Sequence, residues 1–544
     1  MTDRRRFLST VGAALSGLRL DARAGRRSGA VQHLTILHTA DLHGQLSTHD
    51  ELFWENDRPA FRRRGGIATL HTMVNAIRRE APGPVLLVEG GDCLQGSGVA
   101  ALSEGQAIVP LINQLGYDVL LPGNWEVIYG KAALLRGFAA YRGAGVCANM
   151  FHADGAGSRL LFPAYRVIDA GGLRVGFIGY NDPFTPTRQS PAYSKGIRFN
   201  RPEESLARYV RILREQERCA VVCVVAHLGL AQQLHLANQP AARGVDYILG
   251  GDTHERLREP LAGRYARVTE PGAFGSFLGR LDLVVENGVV REESYRLLEV
   301  DPERYPPDPR IEAMVTEARA PYAAELDRVI GRTTTPLCRY FVLETPLDNL
   351  ITDALMWRFG TDLVVSNGFR FCPPLVPGPD GVAEVTRDYL WSMLPVDSEV
   401  KTGRVTGAQI LAWLERELEN VFADDPKSRF GGWFVRYQGM KVTFRIHATM
   451  GNRVQEVTIG GRPLERDRIY TMLACEREGD PGDVLCRLIG VRDPRRVDAR
   501  LHDVMIDYLA RVSPVSPAVE GRAVAIDGPP VLLSQLDGTT YRFR

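Results

Sequence analysis

The stretch Leu34-Thr35-Ile36-Leu37-His38-Thr39-Ala40-Asp41-Leu42-His43 decides how the chain reads. A short apolar strand ends in an Asp-x-His triplet. Side chains of an extended segment alternate with a period of two, so Asp41 and His43 point the same way. The pattern then recurs. Residues 85–88 form an apolar strand running into Gly90-Gly91-Asp92. Val119-Leu120-Leu121 leads to Gly123-Asn124-Trp125-Glu126, residues 220–226 end at His227, and Tyr247-Ile248-Leu249 opens onto Gly250-Gly251-Asp252-Thr253-His254. Helical patterns, such as residues 66–80, lie between the strands. Buried strands alternating with helices predict a layered α/β domain. Its site belongs at the carboxyl ends of the strands, where the polar clusters fall.

Any one of these clusters alone is an ordinary turn or a hydrogen-bonded histidine. Together they offer carboxylates, imidazoles and one amide oxygen. That nitrogen and oxygen set suits Mn²⁺, Zn²⁺ or Fe and not a thiolate-selecting site. Glycines before Asp92, Asn124 and Asp252 let the backbone approach a metal closely.

The order Asp-x-His, Gly-Asp, Gly-Asn-x-Glu, His, Gly-x-x-His resembles the calcineurin-like metallophosphoesterases, and within them the 5′-nucleotidase branch. The resemblance implies a four-layer α/β/β/α metallophosphoesterase domain over residues 31–300. It further implies a linker and bridging helix over 301–331 (the helix itself at 311–329), a 5′-nucleotidase-type α/β substrate domain over 332–525, and a tail over 526–544. Carried over residue by residue, Asp41, His43 and His254 would hold one divalent cation. Asn124, His227 and Asp252 would hold a second, and Asp92 would bridge them, with a metal-bound hydroxide as nucleophile.

Two positions depart from that branch. Its usual Gly-Asn-His-Glu-x-Asp segment is here Gly123-Asn124-Trp125-Glu126-Val127-Ile128. An indole cannot shuttle the proton that the missing His–Asp dyad would. The usual Gly-Gly-His-x-His segment has Asp252 in place of its first His, an anionic oxygen that shifts the preference toward Mn²⁺. Both departures are similar to the SoxB-type thiosulfohydrolases, as are Tyr129-Gly130, Glu255-Arg256, residues 270–275, residues 180–184 and Gly479-Asp480-Pro481. Asn124 itself follows the nucleotidase pattern. The SoxB likeness implies release of sulfate from a cysteine S-thiosulfonate on the carrier protein SoxYZ. The alternative is a 5′-nucleotidase or related phosphomonoesterase or cyclic phosphodiesterase. Asn124, Trp125, Glu126 and Arg370 are the candidates for catalytic roles, with Glu126 expected to orient a ligand histidine and Arg370, in Ser366-Asn367-Gly368-Phe369-Arg370, to grip an anion. Trp433, Phe434 and Tyr437 form an aromatic group suited either to base stacking or to core packing.

The remaining sequence bounds the setting. Arg4-Arg5-Arg6-Phe7-Leu8, a mildly apolar stretch and Ala22-Arg23-Ala24 read as a twin-arginine signal over residues 1–30, which implies the twin-arginine export machinery and a periplasmic location. The formal net charge of +1 over 544 residues gives no footprint for nucleic acid, and no later stretch is long and apolar enough for a membrane span. None of the eight cysteines forms a Cys-x-x-Cys pair, and a disulfide between Cys475 and Cys486 is left open.

Overall fold

The computed structural model describes residues 31–153, 159–368, 372–429, 431–529 and 531–534. The first sheet has six strands in the order Val289–Glu299, Phe277–Glu286, Val31–Thr39, Val85–Glu89, Val119–Leu120 and Ala144–Gly145. Val31–Thr39 runs parallel to Val85–Glu89 and antiparallel to Phe277–Glu286. The second sheet also has six strands, with Leu173–Asn181, Val221–His227, Tyr247–Gly250 and Arg267–Thr269 parallel to one another at its centre.

Alternation along one strand shows how the layers form. Val221, Cys223 and Val225 join Ile36, Val88 and Val119 of the first sheet in one buried cluster. Val222, Val224 and Ala226 face the other way, onto Leu206, Leu213 and Leu236. Helix Ile67–Glu80 buries Leu70, Met73, Val74 and Ile77 against the first cluster. Helices therefore cover the outer faces of two stacked sheets, as the α/β/β/α reading requires.

The second region builds a five-stranded sheet in the order Arg436–Gln438, Leu363–Ser366, Ile469–Cys475, Glu399–Thr406 and Arg492–Arg500. Val365 and Met472 pack on the side of helix Gly407–Phe422, whereas Val364 and Leu473 pack on the side of helices Pro346–Phe359 and Leu501–Val512. A four-stranded sheet containing Met440–Phe444 and Val454–Ile459 completes this half.

The bridging helix is shorter than residues 311–329. It runs Pro309–Arg319, tightens into a 3₁₀ turn at Ala320–Tyr322, and resumes only for Ala323–Leu326. Pro321 lacks the N–H that a continuous helix needs. Val329 already belongs to strand Val329–Thr333, which pairs with Ala383–Thr386. Cys475 and Cys486 are both free thiols in the structure. No helix of the described residues is long and apolar enough to cross a membrane. The expected signal over residues 1–30 lies outside the described residues.

The two halves are tied by polar contacts around the cleft between them. Gln95 donates to the Pro395 carbonyl at 3.0 Å, and the Tyr340 hydroxyl donates to Glu51 at 2.7 Å. Arg477 donates to the Thr187 carbonyl at 2.8 Å and to the Arg188 carbonyl at 3.2 Å.

Candidate metal centre

The turns after the strands are locked together by backbone hydrogen bonds. Asp41 N–H donates to the Gly91 carbonyl and His43 N–H to the Asp92 carbonyl, each at 2.8 Å. Phe274 N–H donates to the Asp41 carbonyl, also at 2.8 Å. These turns are strained: Asp41, His43, Asp92, Asp252 and His254 have φ of 57°, 49°, 62°, 87° and 59°. Left-handed backbone costs a non-glycine residue on the order of 1 kcal/mol, and such residues collect at functional sites. Gly123 has no side chain for a nearby reason: a Cβ there would strike Asp92.

The side chains converge in a buried space. His254 Nε2 lies 3.0 Å from His43 Nε2 and 3.5 Å from Asp41 Oδ1. Asp92 Oδ2 lies 3.1 Å from His227 Nε2 and 3.9 Å from His43 Nε2. His227 Nε2 is 3.8 Å from both Asp41 Oδ1 and Asp252 Oδ1. Two overlapping groups suit a cation: Asp41, His43 and His254, and Asp41, Asp92 and His227. Asp41 is common to both groups, whereas Asp92, the residue expected between them, belongs to the second and lies 3.9 Å from His43 of the first.

Three arrangements of these side chains fit cations. His43 Nδ1 is 2.8 Å from the Gln95 carbonyl and His227 Nδ1 is 2.8 Å from the Gly90 carbonyl. Each carbonyl fixes the proton on Nδ1, which leaves the Nε2 lone pair facing the centre. His227 Nε2 is buried without a hydrogen bond. The third concerns Asn124. Its Nδ2 faces Asp252 Oδ1 at 2.8 Å and its Oδ1 accepts from Gln189 Nε2 at 3.1 Å, while Gln189 Oε1 is buried without a partner. Turning both amides over gives Gln189 Oε1 a donor and brings the Asn124 oxygen to Asp252, an arrangement that requires a cation between them.

Electrostatics point the same way. Burial lowers the His43 imidazole to about 4. Burial also acts to lower His227, but Asp92 and Asp41 beside it raise it well above its ordinary value. Burial acts to raise Asp92, yet the two histidines hold it below the usual carboxylate range. The carboxylates thus draw positive charge to this space, which the imidazole of His227 supplies here and which bound cations would supply in its place.

Glu126 does not orient a histidine. Its carboxylate accepts from the backbone N–H groups of Asp92 at 2.9 Å, Cys93 at 2.5 Å, Leu94 at 3.2 Å and Gly123 at 2.6 Å. It pins the two loops that carry Asp92 and Asn124. Trp125 N–H donates to Asp92 Oδ1 at 2.8 Å, and its indole lines the cleft. Arg370 lies outside the described residues. Of the aromatic group, Phe434 and Tyr437 are buried in the core and Trp433 lines the cleft.

The cleft, about 620 Å³, has further walls that the sequence patterns do not mark. Arg188 Nη1 lies 2.8 Å from Asp252 Oδ2 and 2.8 Å from Asp182 Oδ2. It supplies the positive charge that an aspartate in a histidine's place calls for. From the other half come Asn367, Glu417 and Arg487. Arg487 Nε donates to Glu417 Oε1 at 2.9 Å, and its Nη1 donates to the Asn367 side chain.

Residues 34–256 match the calcineurin-like phosphoesterase family, and residues 329–475 match the 5′-nucleotidase C-terminal domain family. Snake venom 5′-nucleotidase from Gloydius brevicauda is 24% identical over 546 residues, covering 90% of this chain and 88% of that one. The structure of sulfate thiohydrolase SoxB from Thermus thermophilus aligns with a TM-score of 0.80 at 25% identity, covering 92% of this chain and 98% of that one. A 5′-nucleotidase precursor, also from Thermus thermophilus, aligns with a TM-score of 0.77 at 24% identity, covering 91% and 100%. The chain thus joins a calcineurin-like phosphoesterase domain to a 5′-nucleotidase C-terminal domain and is a metal-dependent hydrolase of the 5′-nucleotidase family.

Proposed function

We propose that this protein is an exported SoxB-like hydrolase that releases sulfate from a cysteine S-thiosulfonate on a SoxYZ-type carrier. Asp41, His43, Asp92, Asn124, His227, Asp252 and His254 would hold two divalent cations, Mn²⁺ by the hardness of the set. Bound there, the cations would supply Lewis acidity and an activated water. In the net reaction an oxygen from water bonds to the terminal sulfonate sulfur. The bond from that sulfur to its neighbour breaks, its electron pair leaves on the carrier's sulfur, and the two protons of the water pass to solvent or, one of them, to the departing sulfur.

The observation that carries this reading is Trp125. It stands on the cleft wall, only 8% exposed, where a nucleotidase of this branch has the histidine of its proton-handling dyad. A sulfur anion is a far weaker base than a nucleoside alkoxide, so its departure needs little proton assistance. Trp125 can therefore exclude water and shape the wall without handling a proton. Arg370 is assigned to the anionic head, by the same analogy. Export is supported by the twin-arginine pattern of the first residues and by relatives that include a venom enzyme and a precursor.

A 5′-nucleotidase, or a related phosphomonoesterase or cyclic phosphodiesterase, is the second reading. It is favoured by Asn124 and by the 5′-nucleotidase names of the sequence relatives. Side-by-side hydrolysis of AMP and of a carrier-bound cysteine S-thiosulfonate by the Mn²⁺-loaded protein separates the two. Sulfate release with negligible AMP turnover is expected; rapid AMP turnover without sulfate release would overturn the assignment.

A further inference from the structure

Beside the metal cleft lies a second cavity. The two share Trp125, Arg188, Gln189 and Asn367, so they meet across one threshold with the indole on it. Beyond that threshold the character of the wall changes. Ile351, Leu355, Val365, Leu394, Val396 and Leu501 give it an apolar lining. These come from the C-terminal half, chiefly from helices Pro346–Phe359 and Leu501–Val512 and the turn after helix Arg387–Met393.

Three charged side chains line this chamber, and each is already neutralised. Arg188 is paired with Asp182 and Asp252. Arg477 makes a forked pair with Asp480 at 2.8 and 2.9 Å. Glu476 is 2.5 Å from Arg496. The chamber therefore has no spare charge for a second anionic group. Ser190, Ser366, Ser398 and Asn367 also line it, but the aliphatic side chains would strip water from ribose hydroxyls or base amides laid against them without replacing those hydrogen bonds, which disfavours a nucleoside there. An uncharged hydrocarbon substituent gains from the same wall.

We infer that this chamber is the leaving-group subsite: the anionic head of the substrate sits at the metal cleft, and an uncharged, apolar substituent on the departing sulfur passes Trp125 into the chamber. The inference rests on the thiosulfonate reading for the identity of the head, and on the chamber alone for the identity of the tail. On a carrier protein, the tail corresponds to uncharged residues flanking the cysteine.

The test uses S-alkyl thiosulfates, R–S–SO₃⁻, from methyl to hexyl, with the Mn²⁺-loaded full chain, and the matching alkyl phosphates in parallel. kcat/KM is expected to rise about three- to fourfold per methylene until the chamber is filled. Cleavage of the thiosulfates with no dependence on chain length would overturn the subsite while leaving the thiosulfonate reading intact. Cleavage of the phosphates alone, with the chain-length rise, would support the subsite and defeat the thiosulfonate reading. Binding of methane- to hexanesulfonate, followed by calorimetry, reads the same slope without turnover, and a flat series there also overturns the subsite. Val396→Trp, which narrows the chamber away from the metals, should collapse the hexyl-to-methyl affinity ratio. A ratio unchanged in a variant with wild-type metal content would place the tail elsewhere.

Discussion

The two walls of the cleft are built by opposite means. The N-terminal wall is made by backbone: five left-handed residues in three tight turns after sheet strands, cross-linked by amide hydrogen bonds and by the Glu126 carboxylate. The C-terminal wall is made by side chains: Trp433, the Arg487–Glu417 pair and an apolar chamber between helices. The strain on one side buys a fixed constellation that suits metals, whose geometry tolerates little drift. The other side can change its ligand by exchanging residues, without disturbing the chemistry. Relatives of one architecture can therefore carry names as different as 5′-nucleotidase and sulfate thiohydrolase.

The contrast can be broken most severely at its centre. Asp92→Ala removes a carboxylate proposed to bridge the two cations and should lower hydrolysis by roughly 1000-fold or more, with loss of metal measurable by elemental analysis. Retained metal and near-normal turnover would sink the proposed constellation. Trp125→His with Ile128→Asp restores the dyad and should raise phosphomonoesterase activity by about 100-fold, at the low end of what proton transfer contributes. An unchanged rate would mean that the C-terminal wall, and not the dyad, sets substrate choice.

Arg188→Met leaves the Asp252 charge uncompensated and should weaken metal binding by about 10- to 100-fold, as loss of a ligand's supporting partner does. Restoring a neutral ligand with Asp252→His should erase most of that penalty. Equal losses in both backgrounds would make Arg188 a structural residue only. Smaller again is Arg487→Gln, which acts on the side-chain wall and should change KM by about 3- to 10-fold with little change in metal content.

A last effect, on stability and not on turnover, concerns the support behind the N-terminal wall. Burial lowers His38 to about 3, and neither of its ring nitrogens has a hydrogen-bond partner. Its folded pKa lies below its unfolded value of about 6.5, so the unfolded chain binds more protons between these values. Stability contributed by neutral His38 is full above pH 6.5 and is lost as pH falls toward 3. Urea unfolding of the metal-free protein should show this decline, and His38→Leu should flatten it by roughly 2 kcal/mol across that window. An identical slope in the variant would assign the decline to other groups.

What the sequence discloses follows the same division. Asp41, His43, Asp92, Asn124, His227, Asp252 and His254 can be picked out because each falls in a short polar cluster just after an apolar run, and Asp92, Asn124 and Asp252 follow glycine, a local pattern. The layers are legible for the same reason: period-two strands such as Val221–His227 alternate with helices such as Ile67–Glu80. Arg188 and Arg487 are not legible, because their partners Asp252 and Glu417 are 64 and 70 residues away. The role of Glu126 differs from the expected one because its partners are backbone amides, which no side-chain pattern reveals. The bridging helix falls short of its expected length because apolar spacing continues past Pro321, whose ring breaks the hydrogen-bond ladder.

The contact from Arg477 to the carbonyls of Thr187 and Arg188 has a consequence for modularity. Thr185–Arg188 is a single turn that is inherited with the phosphoesterase half yet fastened by the other. A chimaera fusing the first 328 residues to a second half that lacks an arginine in the place of Arg477 would leave those carbonyls unclamped, and with them the guanidinium that steadies Asp252. Grafting a new specificity onto this scaffold therefore requires transplanting the turn together with the arginine that fastens it.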